Sequence, residues 1–269
     1  MDTTTRTYAG GKMLAATEGG VGLITFNQPE KRNAMSIEMW QGLEQILDGF
    51  AADDAVRVVV LTGAGDKAFV SGADISQFEK NRANADAQVE YDRLTSAGRT
   101  KLATFAKPTI AMIRGFCLGG GLAIAMQTDL RIAAEGSQFG IPAARLSIAY
   151  AFDGLRKLVQ LVGPAHARMI LYTGSRINAR EAERIGLINQ AVPDAALDET
   201  VMGIARTIAE NAPLSIFASK LTISEVMKDP ADRDMEAVRR AAATCFDSAD
   251  YKEGRTAFME KRAPRFVGR

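Results

Sequence analysis

The run Val56-Arg-Val-Val-Val-Leu-Thr62 constrains the fold more than any other stretch of the chain. It is almost wholly β-branched and apolar, it does not alternate with polar residues, and Gly63-Ala-Gly65 closes it. A strand with one wet face alternates. A continuous apolar run is instead buried on both faces, as in a parallel sheet covered by helices. Residues 21–27, 109–113, 130–134 and 187–192 read as further strands, and helical patterns fall between them. Ser36 is placed to cap a helix whose apolar positions Met39, Leu43, Ile46, Leu47 and Phe50 share one face. Gly119-Gly120-Gly121 opens a short apolar helix to about Met126, and Asn178 with Glu181 forms a cap signature. From about Leu197 onward the signal is almost entirely helical. The expected fold class is therefore α/β with a helical C-terminal portion, divided at residues 1–200 and 201–269. In 269 residues, 47% hydrophobic and 24% charged, such a core is affordable.

The charge balance narrows the partners. With 33 Lys+Arg against 32 Asp+Glu, no global field draws the chain to nucleic acid or to an anionic membrane. The most apolar stretch, residues 109–126, is interrupted by Arg114 and four glycines, so membrane insertion is not expected. No apolar run follows the first residues, which argues against a signal peptide. Cys117 and Cys245 lie far apart without a CxxC pattern, which suits reduced thiols and a cytoplasmic location. His166 is the single histidine and cannot build a multi-histidine metal site. It follows Gly163-Pro164, where a helix is expected to start. Gly63-Ala-Gly65-Asp-Lys-Ala68 lacks the third glycine of a dinucleotide fingerprint and reads as a plain turn. The polar stretch 79–88 reads as a surface loop or a frayed helix.

Two segments carry more chemistry: Ala68-Phe-Val-Ser-Gly-Ala73-Asp74-Ile75 and Arg114-Gly-Phe-Cys-Leu-Gly119-Gly120-Gly121-Leu122-Ala123. Small residues stand where backbone must approach something closely. Glycines before a helix leave N–H groups unshielded at its positive end. Two such segments facing one another can donate two hydrogen bonds to a single oxygen, an oxyanion hole suited to a carbonyl becoming an enolate. Tight helix packing explains the triple glycine alone equally well; the pair of segments favours the functional reading.

In order along the chain, these motifs resemble the crotonase (enoyl-CoA hydratase/isomerase) superfamily. Asn27-Gln-Pro29-Glu-Lys-Arg-Asn33-Ala34 is similar to its first signature, residues 69–75 to its Gly-Ala-Asp loop, and residues 115–121 with Asp129 to its central signature. Phe139-Gly-Ile-Pro142, Thr173-Gly174, residues 182–187 and Phe258-Met-Glu-Lys261-Arg262 continue the match. The resemblance implies a spiral of ββα units with a C-terminal helical trimerisation region, assembled as a homotrimer or a dimer of trimers. It implies an acyl-CoA thioester as ligand, with no cofactor beyond the coenzyme A of the substrate. The thioester oxygen would accept from the N–H groups of Ala73 and Gly120. Ser71, Gly72, Asp74 and Ile75 would contact the adenine end, with Gly119 beside the thioester. Lys31, Arg32 and Lys261 would lie near the CoA phosphates, with Phe258 three residues from Lys261 on a shared helix face. Each basic residue taken alone also reads as a solvated surface charge.

The chain departs from this family where proton transfer occurs. Its hydratases use two glutamates, and the matching positions here are Ala123 and Ala143. A methyl group transfers no proton, so an efficient hydratase is not expected. Nearby, Ser147-Ile-Ala-Tyr150-Ala-Phe-Asp153-Gly154 supplies a phenol and a carboxylate, making Tyr150 and Asp153 catalytic candidates. Asp153 also reads as the N-cap of a helix over 154–162, and Tyr150 as a half-buried packing residue. Arg145 reads as exposed, or as a partner for a substrate carboxylate. Residues 144–154 resemble the corresponding stretch of a methylmalonyl-CoA decarboxylase, which has a histidine where Ala73 stands. Three functions stay open: an enolate-forming lyase or isomerase, decarboxylation included; a non-catalytic acyl-CoA carrier or sensor; and an assembly protein whose glycines only pack.

Overall fold

The computed structural model describes residues 5–74 and 85–269. Two sheets organise it. The larger has seven strands in the spatial order β1 (Arg6–Tyr8), β2 (Met13–Glu18), β3 (Val21–Phe26), β4 (Val58–Gly63), β6 (Thr109–Ile113), β8 (Leu130–Ala134) and β11 (Gln190–Val192). From β3 onward its neighbours are parallel; β1, β2 and β3 pair antiparallel. The smaller sheet has the order β10 (Ile177–Asn178), β9 (Gln138–Gly140), β7 (Phe116–Leu118) and β5 (Ala68–Val70), with β5, β7 and β9 parallel.

The chain passes repeatedly from a large-sheet strand to a small-sheet strand and then to a helix. β4 and β5 precede α2 (Ala85–Ala103), and β6 and β7 precede α3 (Gly120–Gln127). β8 and β9 lead through a 3-10 turn (Pro142–Leu146) to α4 (Phe152–Thr173). This is a spiral of ββα units. Helix α1 (Ile37–Ala52) follows β3; Ser36 caps it by accepting from the Met39 N–H.

The β4 run is buried on both faces, as its composition requires. Val59 and Leu61 join the core beneath α1, α3 and α4, while Val58 and Val60 join a second core on the opposite face. That second core is closed by Leu197, Val201 and Ala205 of α6 (Leu197–Glu210). Each such aliphatic side chain, fully removed from water, contributes about 1.5–3 kcal/mol.

Asn178 caps the short helix α5 (Ala179–Arg184) through the Glu181 N–H. Helix α4 breaks at Gly163 (φ 72°, ψ 165°), so its second arm begins at Pro164, the start expected before His166. Its first arm begins earlier than expected. The N-cap is Ala151, with no side-chain cap, so Asp153 lies inside the first turn and caps nothing. Residues 79–84 of the polar stretch lie outside the described residues, and residues 85–88 are the first turn of α2.

After α6 come α7 (Pro213–Val226), α8 (Met235–Asp247) and α9 (Ala249–Glu260). Large apolar side chains stand exposed on these helices and on α4, among them Phe152, Tyr172, Ile223, Phe246, Phe258 and Met259. Among the described residues, no helix is long and apolar enough to cross a membrane.

Candidate active site

Adjacent parallel strands β5 and β7 each end in a loop of small residues, and the two loops meet. A Cβ built on Gly120 would stand 3.6 Å from the Ala73 nitrogen and 3.6 Å from the Gly72 carbonyl carbon. Ala73 is bridged to Met35: the Met35 N–H donates to Gly72 O (2.8 Å), and the Asp74 N–H donates to Met35 O (2.9 Å). In an extended chain successive residues point their polar groups to opposite sides. The Ala73 N–H therefore points away from Met35, toward the Gly120 side. Gly120 opens α3, where a helix N–H has no partner of its own. Among the described residues neither N–H donates to a backbone acceptor.

Packing fixes the spacing between the loops. A Cβ on Gly121 would collide with the Val70 carbonyl, so α3 starts pressed against β5. Gly119 adopts φ 51°, ψ −114°, open to glycine, and its N–H donates to Gly140 O at 2.8 Å. Gly72 has φ 126°. Asn33 ties the preceding signature to the same place. Its amide donates to Ala64 O and Ala68 O, and its Oδ1 accepts from the Gln28 N–H.

The cationic candidates divide into two groups. Lys31 pairs with Asp74 at 2.8 Å; that hydrogen bond and the carboxylate charge raise the Lys31 pKa. The Arg32 carbonyl accepts from the Ser71 N–H, and its guanidinium lies 5.4 Å from the centre of the Phe116 ring. Lys31, Arg32, Ser71, Gly72, Ala73, Asp74, Gly119 and Gly120 thus gather at one edge. Ile75 lies outside the described residues. Phe258 and Lys261 stand apart, at the end of α9. Phe258 is 82% exposed. Lys261 is the left-handed C-cap (φ 55°), so it leaves the helix rather than sharing a helix face with Phe258.

Ala123 lies one turn into α3, its N–H donating to Gly119 O at 3.0 Å, and Ala143 follows β9 in the 3-10 turn. The Tyr150 hydroxyl donates to Gly119 O at a long 3.5 Å, and its ring packs on Gly154, where a Cβ would come within 2.7 Å of it. Burial pushes the phenol up to about 12, partly opposed by the positive charge of Arg99. Tyr150 is thus a hydrogen-bond donor at neutral pH, not a base. Asp153 is exposed in the first turn of α4 and Arg145 is exposed. Cys117, the central residue of β7, is fully buried, which raises its thiol pKa and makes it inert.

Arg99 carried no sequence signal. It lies on α2, which packs against α1 and α3, and its guanidinium lies 5.4 Å from the Trp40 ring centre.

A family model described as enoyl-CoA hydratase/isomerase matches residues 16–269. A short-chain-enoyl-CoA hydratase of Clostridium acetobutylicum is 37% identical over 93% of this chain and 95% of its own length. A crotonyl-CoA hydratase of Syntrophomonas wolfei is 38% identical over 96% of this chain and 98% of its own. Among solved structures, an enoyl-CoA hydratase/carnithine racemase from Magnetospirillum magneticum superposes with a TM-score of 0.92 at 35% identity, covering 96% of each chain.

Proposed function

From the premise that the chain belongs to the enoyl-CoA hydratase/isomerase family, we propose that it binds acyl-CoA thioesters and stabilises their enolates between the Ala73 and Gly120 N–H groups, and that it is a poor hydratase. The observation that carries this reading is the approach of Gly120 to the Ala73 nitrogen, with both N–H groups uncommitted to backbone acceptors. A thioester oxygen placed there gains negative charge as the enolate forms, and two preorganised donors stabilise that charge more than the ground-state carbonyl. Ala123 and Ala143 supply no proton-transfer group. Each missing general acid or base is worth ~10²–10⁴-fold in hydration rate. Lys31 and Arg32 suit the CoA phosphates, with Phe258 and Lys261 as candidate contacts at the far end of the ligand. The exposed apolar side chains of α4 and the C-terminal helices support a homotrimer or a dimer of trimers, with residues 201–269 as the assembly region. The balanced charge and the absence of a membrane-crossing helix among the described residues suit a cytoplasmic location.

Calorimetric titration with acetyl-CoA, acetoacetyl-CoA and a longer acyl-CoA tests the reading. Binding of at least one is expected; folded protein that binds none of them contradicts it. Tight binding without turnover across a broad substrate screen would identify a carrier or sensor instead.

The placement of Tyr150 favours one second reading, decarboxylation of a malonyl-type thioester. Decarboxylation forms the enolate without a base, because the departing carboxylate supplies the electron pair. A protonated phenol beside Gly119 can orient that carboxylate by donating to it. Carbon dioxide release from malonyl-CoA or methylmalonyl-CoA, diminished in Tyr150→Phe, is the expected result. No release from either substrate rules this second reading out.

A further inference from the structure

We infer that Asn33 is a positioning residue that aims the Ala73 N–H at the substrate oxygen. This rests on the acyl-CoA reading above and names the side chain through which the fold sets one of its two donors. Asn33 is fully buried, so it acts through its neighbours rather than on a ligand. Nδ2 donates to Ala64 O at 3.0 Å and to Ala68 O at 2.8 Å, and Oδ1 accepts from the Gln28 N–H at 2.9 Å. Both amide protons are thereby used, together with one acceptor position, a combination that neither a carboxylate nor a hydroxyl can supply. Gly63 makes the approach possible, since a Cβ there would stand 2.7 Å from Nδ2.

The clamp holds a tight corner. Arg32 and Asn33 both take left-handed backbone, φ 52° and 56°, which residues other than glycine adopt only where the surroundings hold them. The corner turns the backbone of residues 32–35 onto the loop that carries Ala73. Arg32 O accepts from the Ser71 N–H at 3.1 Å, the Met35 N–H donates to Gly72 O at 2.8 Å, and Met35 O accepts from the Asp74 N–H at 2.9 Å. These three bonds fix one side of the loop. The Ala73 N–H leaves from the other side, so its direction follows from theirs. Ala68, one anchor of the amide, opens β5, the strand that runs into this same loop. Asn33 therefore joins the template to the strand whose end it shapes. The Gly120 donor is set by different contacts, Gly121 against the Val70 carbonyl and the Gly119 N–H on Gly140 O. Losing the Asn33 amide thus misaims one donor of the pair.

Two ligands separate positioning from stability alone. Acetyl-CoA with a ¹³C-labelled thioester carbonyl is read by infrared difference spectroscopy. S-ethyl-CoA, the thioether that has no carbonyl, is read by calorimetry. Asn33→Asp keeps the shape of the side chain but turns its donors into an acceptor facing two carbonyls. Asn33→Gly keeps the left-handed backbone but removes the amide. In both, the downshift of the bound carbonyl stretch is expected to shrink to about half that of wild type, the share of one donor in two, because a hydrogen bond weakens steeply off its axis. S-ethyl-CoA, which makes no use of the donors, should keep its wild-type affinity. A full wild-type downshift in either folded variant overturns the inference. So does a matching loss of thioether affinity, which marks general damage to the site, and so does unfolding of both variants, which assigns Asn33 to stability alone. Wild type that binds no acetyl-CoA, or binds it with an unshifted carbonyl, strikes the acyl-CoA reading itself and is thereby distinguishable.

Discussion

The two sides of the candidate site are built from different materials. The side proposed to receive the carbonyl is backbone: two N–H groups at the ends of neighbouring strands, spaced by contacts that leave Gly121 no room for a methyl group. In the proposed reading the facing wall is side chain: Ala123 and Ala143, and the phenol of Tyr150 at the Gly119 carbonyl. Backbone donors depend on the fold and persist through most substitutions. A side-chain wall can be rewritten one residue at a time while the fold stays intact. The difference predicts that this chain holds a thioester while lacking the means of moving protons to it.

The largest expected effect comes from rewriting the wall. Ala123→Glu combined with Ala143→Glu should raise crotonyl-CoA hydration by at least ~10²-fold, since each general acid or base typically contributes ~10²–10⁴-fold. A spectrophotometric hydration assay checks this, and no gain in a folded double variant would mean that the two alanines do not face the thioester. Disturbing the backbone side should cost stability as well as binding. Gly121→Ala drives a Cβ into the Val70 carbonyl, and such overpacking typically costs ~1–3 kcal/mol. Urea denaturation should show the loss, with weakened acyl-CoA titration in parallel; unchanged binding would separate Gly121 from the donor spacing. The smallest effect is expected from pH. Tyr150 is an acid whose folded-state pKa lies above its ordinary value of 10, at about 12. Its neutral form is favoured by folding. That contribution is full below the unfolded value and disappears as pH rises through the folded one. Wild type should therefore lose stability relative to Tyr150→Phe as pH rises above 10 (the ordinary tyrosine value), and profiles that stay parallel above that pH would place the phenol in water.

Much of the backbone side was legible in the sequence. β6 and β8 begin and end where their apolar runs do, and β4 is buried on both faces, because a strand of five or six residues carries its own pattern. The caps at Ser36 and Asn178 were readable because a cap is a local relation between residues three apart. The smaller sheet was not read. Its strands have only two or three residues, too few to show any period, and their pairing is entirely long-range. Asp153 looked like a cap because the helix was expected to start at Gly154; it starts at Phe152, which moves the cap to Ala151. Arg99 had no motif, since its place depends on which helices α2 meets. The wall was legible only as a departure from a family pattern, in two alanines where glutamates were expected.

The central claim is that two backbone N–H groups hold the thioester oxygen. Infrared difference spectroscopy of acetyl-CoA carrying a ¹³C-labelled thioester carbonyl tests it most directly. Two hydrogen bonds from Ala73 and Gly120 polarise that bond, so its stretch should move to lower wavenumber on binding to wild type and return toward the free value in Gly121→Ala. Bound acetyl-CoA with an unshifted carbonyl in the wild-type protein would contradict the claim.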